Sequence, residues 1–341
     1  MRILLVKLNH IGDTLLMTPT IKHIKESFPN ARIDVVVRKG CEGVLEGNEH
    51  IEEIFTIAKP EKKNRKFGES LKELYKVSKA LISKKYDWAF DLSNSDRAKL
   101  LILLSGAKYR GINRWNANLG FKKYLFNRFS DYAWGKNHQV LKDFKTIQEI
   151  MQTSGEAGTL HINLEGIDNA LLQRFDLSPS KYIVIHPTSR WSFKEWSIFK
   201  WREVGNYFIQ KGYKVVVTCG PSKRETEYAE KIVKNIENAF STNGKTTLKE
   251  LAFLIKNAKL FLGIDTAAMH IAAAVQTPVV ALFGPTDEWS WHPWKVEHRL
   301  ALGECPCKIA RKITCDKSKI LPCMESIEVN EVISAAEELT R

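Results

Sequence analysis

Residues 261–286, FLGIDTAAMHIAAAVQTPVVALFGPT, allow few architectures. An apolar run over residues 259–264 stops at Asp265-Thr266. A small-residue segment follows, and a second apolar run, residues 279–283, stops at Gly284-Pro285-Thr286. Such runs predict strands buried on both faces, as in parallel sheets. Asp265 is placed to cap a helix, because its carboxylate can accept from the free amides two or three residues on. Ala267, Ala268 and residues 272–274 let a ligand approach that helix closely. Its N-terminus, with unpaired N–H groups and partial positive charge, is a seat for an anion. Strand, small-residue helix, strand and glycine turn describe a nucleotide-binding half of an α/β protein, with the ligand outside the carboxyl ends of the strands.

The same rhythm runs through the chain. Residues 2–8 (RILLVKL) predict a first strand, residues 9–13 the loop at its carboxyl end, and residues 14–27 a helix kinked at Pro19. Further strands are expected at 32–37, 49–56, 88–92 and 109–111, and helices at 69–84, 98–105 and 138–153. Residues 59–66 read as an exposed basic loop and 113–131 as irregular. A linker falls within 154–180. Then come strands at 181–186 and 213–218, helices at 200–211, 225–236 and 248–257, the opening stretch, and an amphipathic helix at 330–339. Two α/β halves imply a cleft between them.

The chain has 341 residues, enough for two domains, and its 44% hydrophobic content is that of a globular protein. No run approaches the roughly eighteen apolar residues of a membrane span, and the start lacks a signal-peptide pattern, so a cytoplasmic protein is expected. Lys and Arg number 52 against 39 Asp and Glu, a net charge of +13 that favours an anionic partner. No helix-turn-helix, zinc-finger or aromatic RNA-binding signature points to nucleic acid, and none is expected as a partner. Cys305, Cys307, Cys315 and Cys323 form C-x-C-x7-C-x7-C. Structural zinc there is conceivable but not favoured over reduced thiols, because the spacing lacks the usual C-x2-C pair.

Several residues could carry chemistry. Asp13 follows the first strand, where it could accept a proton from an attacking hydroxyl or cap the helix beginning at Thr14. Thr188, Ser189, Arg190 and Lys194 follow another buried strand and could hold phosphate oxygens, or form an ordinary basic loop. His270 lies one turn beyond Thr266. The chain has no G-x-G-x-x-G, no G-x4-G-K-[ST], no H-E-x-x-H and no G-x-S-x-G, which disfavours dehydrogenases, phosphate-loop ATPases, zinc proteases and serine hydrolases.

KLNHIGDTLLMTPTIKHIKESFPNARIDVVV, HPTSRWSFKEW, VVVTCGP, LFLGIDTAAMHIAAAVQTPVVALFGPT and WSWHPW, in that order, resemble the signatures of glycosyltransferase family 9, which contains the lipopolysaccharide heptosyltransferases. HPTSRWSFKEW and GIDTAAMHIAAAVQTP look most like the heptosyltransferase III branch. The resemblance implies a GT-B fold, two Rossmann-like domains with an interdomain cleft. It implies an acceptor domain at 1–170, a nucleotide-sugar domain at 171–327, and a helix at 328–341 that crosses back. It implies inverting transfer of heptose from ADP-L-glycero-D-manno-heptose to the lipopolysaccharide inner core, at the cytoplasmic periphery of the inner membrane and its anionic surface. No metal or other cofactor is expected. Asp13 matches the catalytic base and Lys194 the phosphate-neutralising lysine. Thr188, Ser189, Arg190, Gly220, Gly244, Thr246, Asp265, Thr266, Ala267, Ala268 and His270 fall to the donor site. His10, Lys62, Lys63, Arg65, Arg97 and Arg114 are assigned to the anionic acceptor. The family often has Gly where Ala267 or Ala268 stands, so sugar approach can differ. The alternatives are a family member with another donor or acceptor, and a non-catalytic nucleotide-sugar or anionic-glycan binding protein.

Overall fold

Short apolar runs separated by amphipathic helices build two parallel sheets. The computed structural model describes residues 1–58, 67–115, 120–305, 307 and 314–341. They form two compact units, Met1–Asn163 and Leu164–Arg341.

The first unit holds strands β1 (Arg2–Lys7), β2 (Arg32–Arg38), β3 (Glu53–Ile57), β4 (Trp88–Asp91), β5 (Tyr109–Asn113) and β6 (Arg128–Ser130), all parallel, in the order β3-β2-β1-β4-β5-β6. The central β1 and β2 are buried along almost their whole length, as sheets covered on both faces require. The helix expected at 14–27 is two helices, Ile11–Leu16 and Thr18–Ser27, parted at Met17 with Pro19 in the first turn of the second. Proline is tolerated there because its missing N–H would lack a helical partner anyway.

The second unit repeats the plan with β7 (Tyr182–His186), β8 (Lys214–Val217), β9 (Ala239–Ser241), β10 (Leu260–Ile264), β11 (Val279–Phe283) and β12 (His298–Leu302), in the order β12-β11-β10-β7-β8-β9. Strands β7, β10 and β11 are wholly buried. Trp196 and Trp201 are fully buried in this core, packed edge to face, whereas Trp191 is 51% exposed. Helix Val329–Thr340, which covers the segment expected to cross back, inserts Val332, Ala336 and Leu339 into the second unit's core.

Three strands escape a reading by apolar runs. Residues 113–131, expected to be irregular, contain a 3-10 turn at Gly120–Leu125 and β6; β9 and β12 were likewise unexpected. All three lie at sheet edges, where one flank lacks a neighbour and polar side chains are tolerated.

Candidate active site

In each sheet the chain lays down strands to one side of a starting strand and then returns to its other side. The order reverses between β1 and β4 in the first unit and between β7 and β10 in the second. The loops leaving the carboxyl ends of such a pair diverge, and the crevice they leave is where open α/β sheets bind ligands. Asp13 stands at the first of these points, and Thr188, Lys194, Asp265 and Thr266 stand at the second.

In the first unit, the loops after β1 and β4 are tied together. Leu8 donates its N–H to Ser93 Oγ at 2.7 Å, and Lys7 Nζ donates to the Leu92 carbonyl at 3.0 Å. Lys7 also pairs with Asp143 at 2.6 Å, with both side chains almost wholly buried. Asp13 is not in a loop before a helix at Thr14. It lies in the first turn of helix Ile11–Leu16, whose N-cap is His10, and its Oδ2 accepts from the His10 N–H at 3.2 Å. The carboxylate thus faces the free amides of a helix start, with the His10 imidazole at 3.6 Å. Burial pushes the Asp13 carboxyl up, but the His10 hydrogen bonds and the Lys7 charge outweigh it and hold the group below its ordinary value. Asp13 is therefore an ionised, mostly buried carboxylate, in the state a general base needs.

In the second unit, the loop after β7 reaches the loop after β10 through Lys194, whose Nζ pairs with Asp265 Oδ2 at 2.6 Å. This corrects the capping expectation. Thr266, not Asp265, is the N-cap of helix Ala267–Ala274, because the nearby ammonium competes better for the carboxylate than neutral amides do. The first amides of that helix are left without a side-chain cap. Thr188 Oγ1 and Thr266 Oγ1 are buried with no hydrogen-bond partner among the described residues. Unsatisfied buried hydroxyls beside uncapped helix amides and a lysine are suited to oxyanions.

The Ser189 loop is braced by residues that sequence reasoning passed over. Glu195 accepts from the Ser189 N–H at 3.1 Å and from Arg224 Nη1 at 2.7 and 2.8 Å, and Arg224 Nη2 donates to the Ser189 carbonyl. Arg190 lies over the Trp191 ring. Gly244, at φ +63°, packs so closely on the next loop that a Cβ there would stand 2.6 Å from the Gly220 carbonyl oxygen. Gly220 and Gly244 therefore lie side by side beyond β8 and β9, with Thr246 half-buried nearby. Ala268 and His270 are buried on the helix and Ala267 is half-buried. The His270 ring is 6.3 Å from that of Trp291.

The acceptor candidates are less gathered. His10 adjoins Asp13. Arg97 Nη1 donates to the Ala58 carbonyl at 2.6 Å, a structural bond beside β3. Arg114 makes a bidentate pair with Asp131 at the surface. Lys62, Lys63 and Arg65 lie outside the described residues. Charges in core positions, Lys7 within an apolar run and Asp143 within an amphipathic helix, are a signal that could have led to the buried pair.

The four clustered cysteines are free thiols. Their contacts run as a chain from Cys323 to Cys305, Cys307 and Cys315. Among the described residues no group of three or more His, Cys, Asp or Glu side chains is arranged to hold a metal ion.

The sequence profile of glycosyltransferase family 9 (heptosyltransferase) matches residues 74–321. The chain is 31% identical over 290 residues to lipopolysaccharide heptosyltransferase 3 of Escherichia coli K12, covering 83% of this chain and 82% of the relative. It is 25% identical over 327 residues to lipopolysaccharide heptosyltransferase 1 of Pseudomonas aeruginosa, covering 92% and 87%. Among solved structures, a family 9 glycosyltransferase of Veillonella parvula superposes with a TM-score of 0.83 at 22% identity over 99% of this chain and 97% of that one. The E. coli ADP-heptose lipopolysaccharide heptosyltransferase II superposes with a TM-score of 0.80 at 22% identity over 100% and 98%. The architecture of two Rossmann-like units is therefore the GT-B fold.

Proposed function

The chain belongs to glycosyltransferase family 9, and from that premise we propose that it transfers heptose, with inversion, from ADP-L-glycero-D-manno-heptose to the inner core of lipopolysaccharide. Two observations, each within its own unit, support this reading: an ionised base at the switch point of the first sheet and a phosphate-type cradle at the switch point of the second. The first unit takes the acceptor and the second the nucleotide sugar.

Asp13 accepts the proton of the acceptor hydroxyl as that oxygen bonds to the anomeric carbon. The bond from that carbon to the diphosphate oxygen breaks on the opposite face, and ADP leaves. Negative charge grows on the diphosphate as it departs. The Lys194 ammonium, the Thr188 and Thr266 hydroxyls and the amides opening helix Ala267–Ala274 stabilise that charge. Asp265, held by Lys194, keeps the ammonium in place, and Arg224 with Glu195 keeps the Ser189 loop in place. Gly220, Gly244 and Thr246 form the wall beside the adenosine. The excess of basic residues suits an acceptor bearing carboxylates and phosphates in an anionic membrane, so the enzyme works at the cytoplasmic surface of the inner membrane. Among the described residues no helix is long and apolar enough to cross a membrane.

The test is transfer from ADP-heptose to defined truncated lipopolysaccharide cores, followed by mass. Asp13→Asn is expected to lower kcat by roughly 10²–10⁴-fold while ADP still binds. The wild-type rate should hold into mildly acidic solution and fall only as pH drops through the depressed Asp13 value, because the base is needed ionised. No transfer to any core would refute the reading, as would an Asp13→Asn enzyme of normal rate.

A further inference from the structure

Two layers of helix cover the first sheet, and their outer surfaces differ. Helices Phe67–Lys84 and Asp96–Leu104 and the 3-10 turn Gly120–Leu125 lie on one face, because Leu81, Leu101 and Phe126 share a core cluster with Leu4 and Val36 of β1 and β2. Helices Thr18–Ser27 and Gln139–Met151 pack against each other and put nothing into that cluster, so they cover the opposite face. This second layer exposes Lys22, Glu26 and Glu149 and no large apolar side chain. Lys22 and Glu26 stand 3.7 Å apart as a pair. That is an ordinary solvated surface.

The first layer is of another kind. Tyr75 and Ile82, two turns apart on helix Phe67–Lys84, are 70% and 55% exposed. Leu100, Leu103 and Tyr124 are exposed on the elements packed next to it. Among the first unit's described residues, Met1 is the one other large apolar side chain so exposed. Such groups scattered singly need no explanation, but five on adjoining elements of one layer form a patch. The charges between them are nearly all of one sign. Among the described side chains of the three elements, Lys72, Lys76, Lys79 and Lys123 are exposed, against Asp96 alone. Glu73 is half-buried and accepts from the Ala58 N–H at 3.0 Å. Lys72, Lys76 and Lys79 follow Tyr75 and Ile82 at the three- and four-residue spacing of one helix side.

Tyrosine and aliphatic groups interleaved with lysines suit the headgroup layer of an anionic bilayer. The apolar side chains enter the acyl boundary, the tyrosine hydroxyls stay among the headgroups, and the ammonium groups meet lipid phosphates. A second copy of the chain is the poorer occupant, because an isologous contact would press two lysine-rich faces together. We infer that the outer surface of helices Phe67–Lys84 and Asp96–Leu104 and the turn Gly120–Leu125 is the face by which the protein docks on an anionic membrane. The inference rests on the proposed membrane setting and adds the face that meets it. These elements cover the flank of the first sheet, so in this seating the sheet lies over the bilayer. The carboxyl ends of its strands, and Asp13 with them, then point along the membrane surface and not into it.

The experiment sediments the full-length protein with vesicles of phosphatidylglycerol and phosphatidylethanolamine, and with vesicles of phosphatidylcholine alone. The wild type is expected to bind the first and not the second. Lys72→Gln/Lys76→Gln/Lys79→Gln should weaken that binding by on the order of 100-fold, and Tyr75→Ser/Ile82→Ser by about tenfold. Lys223→Gln/Lys231→Gln/Lys234→Gln makes the same change of net charge on exposed lysines of the second unit and should bind as the wild type does. All these side chains are exposed, so thermal unfolding should be unchanged. Heptose transfer to a deacylated, water-soluble core should be unchanged too. Three results overturn the inference: a wild type that ignores both vesicles, an equal loss in the second-unit variant, or face variants that abolish a dimer in sedimentation velocity and leave vesicle binding intact. Vesicle binding through this face without heptose transfer would refute the proposed reaction and leave the docking face standing. Transfer to the soluble core without vesicle binding would do the reverse.

Discussion

Lys194→Met separates the two tasks that the Lys194–Asp265 pair performs. The 2.6 Å pair joins side chains only 17% and 8% exposed. At an effective dielectric of 20 the attraction is about 6 kcal/mol, most of it cancelled by desolvating both ions. Removing the lysine alone leaves the Asp265 carboxylate buried without its cation, which costs roughly 3 kcal/mol. For a unit of this size that is a fall of roughly 6–12 °C in Tm. The double variant Lys194→Met/Asp265→Asn removes both charges and should return to within about 1 kcal/mol of the wild type. Donor binding should not return, because the cation for the diphosphate is still missing. The loss of a charge-assisted contact predicts ADP affinity lower by roughly 10- to 100-fold in both variants. Urea denaturation and ADP calorimetry on the wild type and the single and double variants provide the comparison. Full stability in Lys194→Met would show the pair to be energetically idle. Recovery of both stability and ADP affinity in the double variant would remove Lys194 from the cradle.

Two further outcomes are expected. Gly244→Ala places a Cβ 2.6 Å from the Gly220 carbonyl oxygen at a φ of +63°. It should cost about 2–3 kcal/mol in urea denaturation and weaken ADP binding, and a neutral effect would mean that the two loops part easily. Burial pulls the His186 imidazole down to about 4, so the folded protein holds it neutral while the unfolded chain protonates it near its ordinary value. Its contribution to stability is present above about pH 6.5 and lost as pH falls towards 4, to the extent of about 3 kcal/mol. His186→Gln should flatten the stability–pH curve in that window, and an unaltered slope would assign the acid sensitivity elsewhere.

Much of the fold is written locally. Residues 2–8, 181–186, 259–264 and 279–283 are apolar without alternation, and a strand covered on both faces is the environment that suits them. Glycine turns and small residues mark the strand ends, which is why Asp13, Thr188 and Thr266 could be singled out before any coordinates. The edge strands β6, β9 and β12 were hidden because a strand flanked on one side alone need not be apolar. The state of the site is another matter. Lys7 meets Asp143 across 136 positions and Lys194 meets Asp265 across 71, and nothing in either local segment names its partner. Asp265 has the chemistry of a helix cap, yet it becomes a lysine's counter-ion because folding delivers an ammonium to it. Lys142 is one basic residue among many in the chain, and only packing sets its ammonium over the Trp134 ring. Spacing along the chain decides which groups stand at strand ends. Which charges are paired, buried or left over follows from contacts between distant segments, since Coulomb energy and desolvation depend on distance in space and not on distance in sequence.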